Sequence, residues 1–252
     1  MQRFFTVIGG MGTAATNSYV RLLTQRTAAQ KDQDYMDYLL VNHATVPDRT
    51  TYILDHGQPS FYPALREDVL QQSELRPDFM VMVCNTAHYF YNELNALTDV
   101  PLLHMPHIAV MEMCRRYPQA KRIGLIATKG TIADHIYEDE IEAAGREVTL
   151  GDQHVRDMVM ELIYDDIKEK GQVDGKLFAE ILRIMRDDFG AEAIVLGCTE
   201  LSLANEMAPQ PDYELVDPQS IIVDKTLMLG QAFRDSVAAG KHLLADVIAG
   251  RK

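Results

Sequence analysis

Six short apolar runs, separated by longer stretches of helical period, constrain the fold of this chain more than any other feature. They are FFTVIG (4–9), YLLVNH (38–43), FMVMVC (79–84), RIGLIA (122–127), EVTLG (147–151) and AIVLGC (193–198). Strands that are apolar on both faces need cover on both faces, and crossover helices between parallel strands supply it. The 252 residues fit one large domain or two of about 100 to 130 residues each.

The chain also repeats a unit. VIGGMGTAAT has a counterpart in LIATKGTIAD, each reading as a strand, a glycine-containing turn ending in Gly-Thr, and a helix start. MVMVCNT and AIVLGCT form a second pair, both strands that end in cysteine. Cys84 lies 72 positions after Gly12, and Cys198 lies 68 after Gly130, a near-equality that two similar lobes explain. The expected architecture is therefore α/β: two similar lobes, each a parallel sheet flanked by helices, with the site in the cleft between them. Open parallel sheets carry functional residues just beyond the carboxyl ends of their strands, at the switch in strand order, so both cysteines would face one cleft. The expected lobes are 1–113 plus 217–252, with an apolar-periodic C-terminal helix packing back, and 114–216.

Charge and cysteine usage narrow the class. A net charge of −13 repels a phosphate backbone unless basic residues gather on one face, and none do. Arg115–Arg116 and Lys121–Arg122 are followed by ordinary strand and helix signals and read as solvated surface. No nucleic-acid partner is expected. Three cysteines make no disulfide framework and suit a reducing compartment. The opening MQRFFTVIGG is too short an apolar run for a signal peptide, and no stretch reaches membrane-spanning length. A soluble, cytoplasmic protein without a membrane partner is expected.

Cys84 and Cys198 each follow a strand and precede a helical stretch, where free backbone N–H groups and the helix dipole favour a thiolate. A thiol pKa near 8.5 falls to roughly 3.5–7.5 in such places, so each sulfur is expected to be a base near neutral pH. One activated cysteine suggests a nucleophile. Two facing each other suggest proton transfer, a thiolate removing an α-proton from one face of a carbon while a thiol returns one from the other. Asn85, Thr86 and Thr199, with the N–H groups after each cysteine, are candidates to grip a carboxylate and the enolate-like charge that develops on it. One such donor is typically worth ~2.7–4 kcal/mol in the transition state. Cys114, in MEMCRR, lacks this context and reads as packing.

Two other readings use the same residues. A cysteine-nucleophile hydrolase or amidase would need only Cys84, with His43 or His88 as base. A non-catalytic amino-acid binder would use the cleft and leave the thiols idle. His88, His104 and His107 match no structural-zinc spacing, and no metal is expected. GGMGTAA has the form of a dinucleotide fingerprint, but the next strand ends in Asn42 and His43 where that fingerprint needs an acid, so no such cofactor is expected.

Five blocks spread over nearly the whole chain, GGMG (9–12), PDRT (47–50), CNTAH (84–88), GLIATKGT (124–131) and GCTEL (197–201), are specific in combination. On them the chain resembles the cofactor-independent aspartate racemases of the aspartate/glutamate racemase superfamily. The resemblance implies two α/β lobes with the active site between them, a two-base racemase that uses no pyridoxal phosphate or other cofactor, and a homodimer. It makes Cys84 and Cys198 the two bases and gives Asn85, Thr86 and Thr199 the α-carboxylate region. Arg49 and Lys168 would bind the second carboxylate of a dicarboxylic amino acid, with Met11 and Gly12 along the floor and Thr131 and Glu200 as further substrate contacts. Lys168 is unremarkable on sequence alone. Thr13 and Ser202 stand where the family usually has proline. Absence of a DSGxGG block, and Thr-Glu rather than Thr-His after Cys198, favour aspartate over glutamate; decarboxylases and maleate isomerases arrange their cysteines differently.

Overall fold

The apolar runs become strands, and in the central strand pair of each sheet the side chains alternate between two cores. The computed structural model describes residues 1–251, so Lys252, the last residue of the expected first lobe, lies outside them. In chain order the strands are β1 Phe5–Gly9, β2 Tyr38–Asn42, β3 Met80–Met82, β4 Leu102–Leu103, β5 Arg122–Ala127, β6 Glu147–Thr149, β7 Ala193–Gly197 and β8 Leu215–Val216. Strands β4 and β8 lie outside the expected six; at two residues each they are too short to show a period.

One sheet has the order β2-β1-β3-β4 and the other β6-β5-β7-β8, and every pair is parallel. The repeat seen in the sequence is thus a repeat of topology. In each sheet the chain runs from the first strand out to one neighbour and then returns to the other side, so the switch point lies between β1 and β3 and between β5 and β7. Cys84 and Cys198 emerge just past β3 and β7, where such sheets hold ligands.

The period of two in each strand decides which core a residue joins. Val7, Val81, Leu125 and Val195 point into one large cluster shared by both halves. Their neighbours turn outward: Ile8 and Met82 pack with Phe61, Leu65 and Val69, and Ile126 and Leu196 pack with Phe178, Ile181 and Leu182. Burying each such side chain contributes about 1.5–3 kcal/mol.

The C-terminal segment forms two helices, Pro218–Asp235 and Val237–Ile248, divided at an extended Ser236 that caps the second. The first packs on the helices Thr13–Arg26 and Met105–Arg116 and also touches β7 and the helix Thr199–Met207, so it joins the two sheets. Buried Lys225 pairs with buried Glu112 at 3.2 Å, and Arg115 and Arg116 bond the same carboxylate, so this basic pair is more than solvated surface. A boundary between 113 and 114 would cut the helix Met105–Arg116. Cys114, on that helix, packs against the shared core.

Gly10 has φ +93, and a Cβ there would lie 2.5 Å from the backbone of His43. Only glycine fits this turn between β1 and the loop after β2. Thr16 holds the turn closed: its hydroxyl accepts from the Gly10 N–H and donates to the Gly12 carbonyl, both at 2.9 Å.

Candidate active site

The carboxyl ends of the two sheets meet at a small cleft lined by Met11, Asp48, Arg49, Thr50, Cys84, Asn85, Thr86, Thr128, Tyr164, Lys168, Cys198, Thr199 and Glu200. Both cysteines, free and buried, therefore border one space. Nine of the eleven residues singled out from sequence line it. The other two stand just behind. Gly12 lies against Glu200, whose Oε1 would be 3.1 Å from a Cβ at that position. Thr131 is buried in a triangle of hydroxyls with Thr86 and Thr128, at 2.9 Å from the first and 3.0 Å from the second. The room inside is about 10 Å³, enough for about one water, so an amino acid enters only if the walls part.

The walls touch at several points. Gly130 comes so close to Thr50 on the opposite lobe that a Cβ would lie 2.8 Å from the Thr50 Cα. Ser18 donates to Glu206 at 2.7 Å, and the Tyr164 hydroxyl donates to Asp48 at 3.2 Å.

Arg49 starts the short helix Arg49–Leu54, which Asp48 caps by accepting from the Thr51 N–H. Its Nη1 donates to the carbonyls of Val46 and Pro47, and its Nη2 to that of Met11, at 3.2, 3.1 and 2.9 Å. These bonds pin the guanidinium to the glycine turn and leave two of its five N–H groups for a ligand. Burial opposes its charge, but the neighbouring Cys84 and Asp48 outweigh that and raise its pKa.

Lys168 lies in a π-helical stretch, Glu161–Glu169, that continues the helix Gln153–Met160. Such stretches are rare and cluster at functional sites. Its Nζ lies 4.0 Å from the Tyr164 ring centroid and 4.0 Å from Asp48. Burial works against the ammonium, but the Glu200 carboxylate outweighs it, raises its pKa and keeps it charged. Burial lifts Tyr164 to about 12, so it stays a phenol and a donor. Asp48, Thr50, Thr128 and Tyr164 were not singled out from sequence. Three of them sit inside or beside the quoted blocks, and Tyr164 stands four positions before Lys168.

The two thiols are not equivalent. The Cys198 Sγ donates to Glu200 Oε2 at 2.8 Å, and the Thr199 hydroxyl donates to the same oxygen at 3.2 Å. Burial, then the Glu200 carboxylate, push the Cys198 pKa well above its ordinary value, against the pull of Lys168. This corrects the expectation that a helix N-terminus lowers it: Cys198 does stand at the N-terminus of the helix Thr199–Met207, without a capping bond from its side chain, but in a desolvated pocket beside a carboxylate the dipole is the weaker effect. Cys84 is followed by a single 3₁₀ stretch, Thr86–Phe90, rather than an α-helix. Asn85, 1% exposed, accepts at Oδ1 from the Tyr137 hydroxyl, while its Nδ2 has no partner among the described residues. A buried donor left unpaired at a cleft is a place for a ligand acceptor.

The histidines serve the framework. His88 donates from Nδ1 to the Cys84 carbonyl at 2.8 Å and accepts at Nε2 from the Met105 N–H at 3.2 Å. His104 caps the helix Met105–Arg116, accepting from the His107 N–H, and His107 pairs with Glu140 at 2.7 Å. His43 pairs with Asp68 at 2.9 Å. Neither His43 nor His88 lines the cleft, so neither stands as the base that a Cys84 nucleophile would need.

Burial holds His88 neutral, its pKa lowered to about 4, and lowers His104 to about 2. An unfolded histidine titrates near 6.5, so below that value the unfolded chain binds more protons than the folded one, and stability falls as pH falls from about 6.5 to 4. His88 alone accounts for roughly 3 kcal/mol of that loss. Urea unfolding of the parent and of His88→Gln at pH 7 and pH 4.5 checks this: the parent should lose more, and equal losses would rule His88 out as the cause.

Residues 8–226 match the model of the Asp/Glu/hydantoin racemase family. A broad specificity amino-acid racemase, RacX, from Bacillus subtilis is 24% identical over 239 residues, 90% of this chain and 98% of the relative. Among solved structures, an aspartate racemase from Picrophilus torridus superposes with a TM-score of 0.78 at 23% identity, covering 91% of this chain and 94% of that one. A glutamate racemase from Francisella tularensis in complex with D-glutamate superposes at 0.60 with 17% identity, covering 93% and 82%. At these identities the structural likenesses show the two-lobed fold, and the match along residues 8–226 shows the lineage: the chain belongs to the Asp/Glu/hydantoin racemase family.

Proposed function

We propose that the chain is an amino-acid racemase that interconverts L- and D-aspartate by proton transfer between two thiols, without pyridoxal phosphate. The observation that carries this reading is the pair of buried cysteines on one small cleft with unlike partners, Cys198 bonded to Glu200 and Cys84 beside Arg49. Cys198 holds its proton and is the resting acid. Cys84 then acts first as base.

In one direction the Cys84 thiolate takes the α-proton: the Cα–H bond breaks, an S–H bond forms, and the electron pair passes into the α-carboxylate as enolate-like charge. The unpartnered Asn85 Nδ2 and the N–H groups after each cysteine receive that charge. Cys198 then gives its proton to the opposite face of Cα, and its S–H bond breaks. The sulfurs have exchanged protonation states, which is the form that turns over the other enantiomer. Arg49 and Lys168 supply two cations for the second carboxylate of a dicarboxylic amino acid. A homodimer in the cytoplasm is expected with this assignment.

The direct test is incubation of L-aspartate with the purified protein, free of pyridoxal phosphate, in D₂O. Loss of optical rotation with one solvent deuterium at the α-carbon is the expected result. No exchange with aspartate, glutamate or other amino acids would reject the reading, and faster exchange with glutamate or neutral amino acids would reject the aspartate assignment alone.

A further inference from the structure

An amide has nearly the same shape either way round, so its hydrogen bonds decide which end of Asn85 faces the cleft. The Tyr137 hydroxyl has one proton, and Asn85 Oδ1 is its acceptor. Turning the amide over would leave that proton without an acceptor in a fully buried site and would aim a carbonyl oxygen at an incoming carboxylate. Tyr137 keeps its proton, because burial and then the nearby Asp217 and cysteine groups raise its pKa well above the ordinary value. Its side chain does not line the cleft, so it reaches the chemistry only through Asn85.

The two residues belong to different sheets' surroundings. Asn85 follows β3, whereas Tyr137 stands between the helices Lys129–Ala133 and Glu138–Ala143, after β5. The bond therefore runs from lobe to lobe, beside a second crossing in which the Thr86 hydroxyl meets Thr131 and Thr128. The amide is aligned only while the walls are together.

We infer that Tyr137 is a positioning residue for racemisation, its hydroxyl fixing the Asn85 amide so that Nδ2 faces the substrate carboxylate when the lobes are closed. The inference rests on the racemase reading above. It separates the role of Asn85, which meets the substrate, from that of Tyr137, which sets the direction of that contact.

The test is a double-mutant cycle on the full chain with Tyr137→Phe, Asn85→Ala and the pair, reading racemisation and α-deuterium uptake. Tyr137→Phe keeps the ring and should lower kcat/KM by roughly 10- to 30-fold, mainly through KM, with the pH profile unmoved. Once Asn85 is alanine, removing the hydroxyl should cost no more than about a further twofold. Tyr137→Phe within about twofold of the parent, or a full second loss in the Asn85→Ala background, overturns the inference. Should Tyr137→Phe not fold, the parent still decides: succinate, a dicarboxylate, should shift the Asn85 side-chain amide resonances, and unshifted resonances overturn the inference too. A parent that racemises no amino acid removes the racemase reading and this inference with it. An active parent with an indifferent Tyr137→Phe removes only the inference.

Discussion

Replacing either Cys84 or Cys198 by alanine should lower the racemisation of aspartate by roughly 10²–10⁴-fold, the usual worth of one positioned acid or base. The two losses should be similar in size and different in kind. With Cys198 removed, Cys84 can still take a proton from its own face, so one enantiomer keeps exchanging its α-proton with D₂O without inverting. With Cys84 removed, the other enantiomer should do so more slowly, because burial and Glu200 hold the remaining thiol protonated. Chiral chromatography coupled to mass spectrometry reads inversion and exchange separately. Full inversion by either single variant sinks the two-thiol mechanism, and loss with Cys84→Ala alone would point back to a nucleophile.

The second large effect is expected at Arg49. Its guanidinium bonds three backbone carbonyls, including that of Met11 in the glycine turn, and is the cation beside Cys84. Arg49→Leu should lower kcat/KM for aspartate by roughly 10³-fold, from losing charge-assisted bonds of about 1.5–3 kcal/mol each. Arg49→Lys keeps the charge but not the fork, so it should recover only part of the loss. Measuring alanine alongside aspartate separates the two duties of the group. If Arg49 holds the second carboxylate, the variants lose the preference for aspartate; a preference that survives unchanged assigns Arg49 to the framework alone.

Much of this site was legible because chemistry and local pattern coincide in it. Cys84-Asn85-Thr86 and Cys198-Thr199-Glu200 sit at the tips of apolar strands, and a tip is found by finding its strand. Lys168 and Tyr164 were harder. On sequence they are two polar residues in a helical stretch, and only a π-helical path beside Asp48 turns both to the cleft. Ser202, where the family usually carries proline, gains a reason from the fold: its hydroxyl donates to Asp217 at 2.7 Å, and Asp217 caps the helix Pro218–Asp235.

Strand identity, the repeated unit and the place of the two cysteines at strand tips were legible in the sequence itself, because the period of apolar side chains and the bonds of the nearest neighbours are local. What surrounds each sulfur was decided in part by a near neighbour, Glu200 two positions after Cys198, and otherwise by tertiary structure. Whether a thiol keeps its proton depends on how deeply it is buried and which carboxylate or cation comes to rest beside it. Cys198 meets Glu200 from its own helix, whereas Cys84 meets an arginine 35 residues away in the chain, brought there by the crossover from β2 to β3.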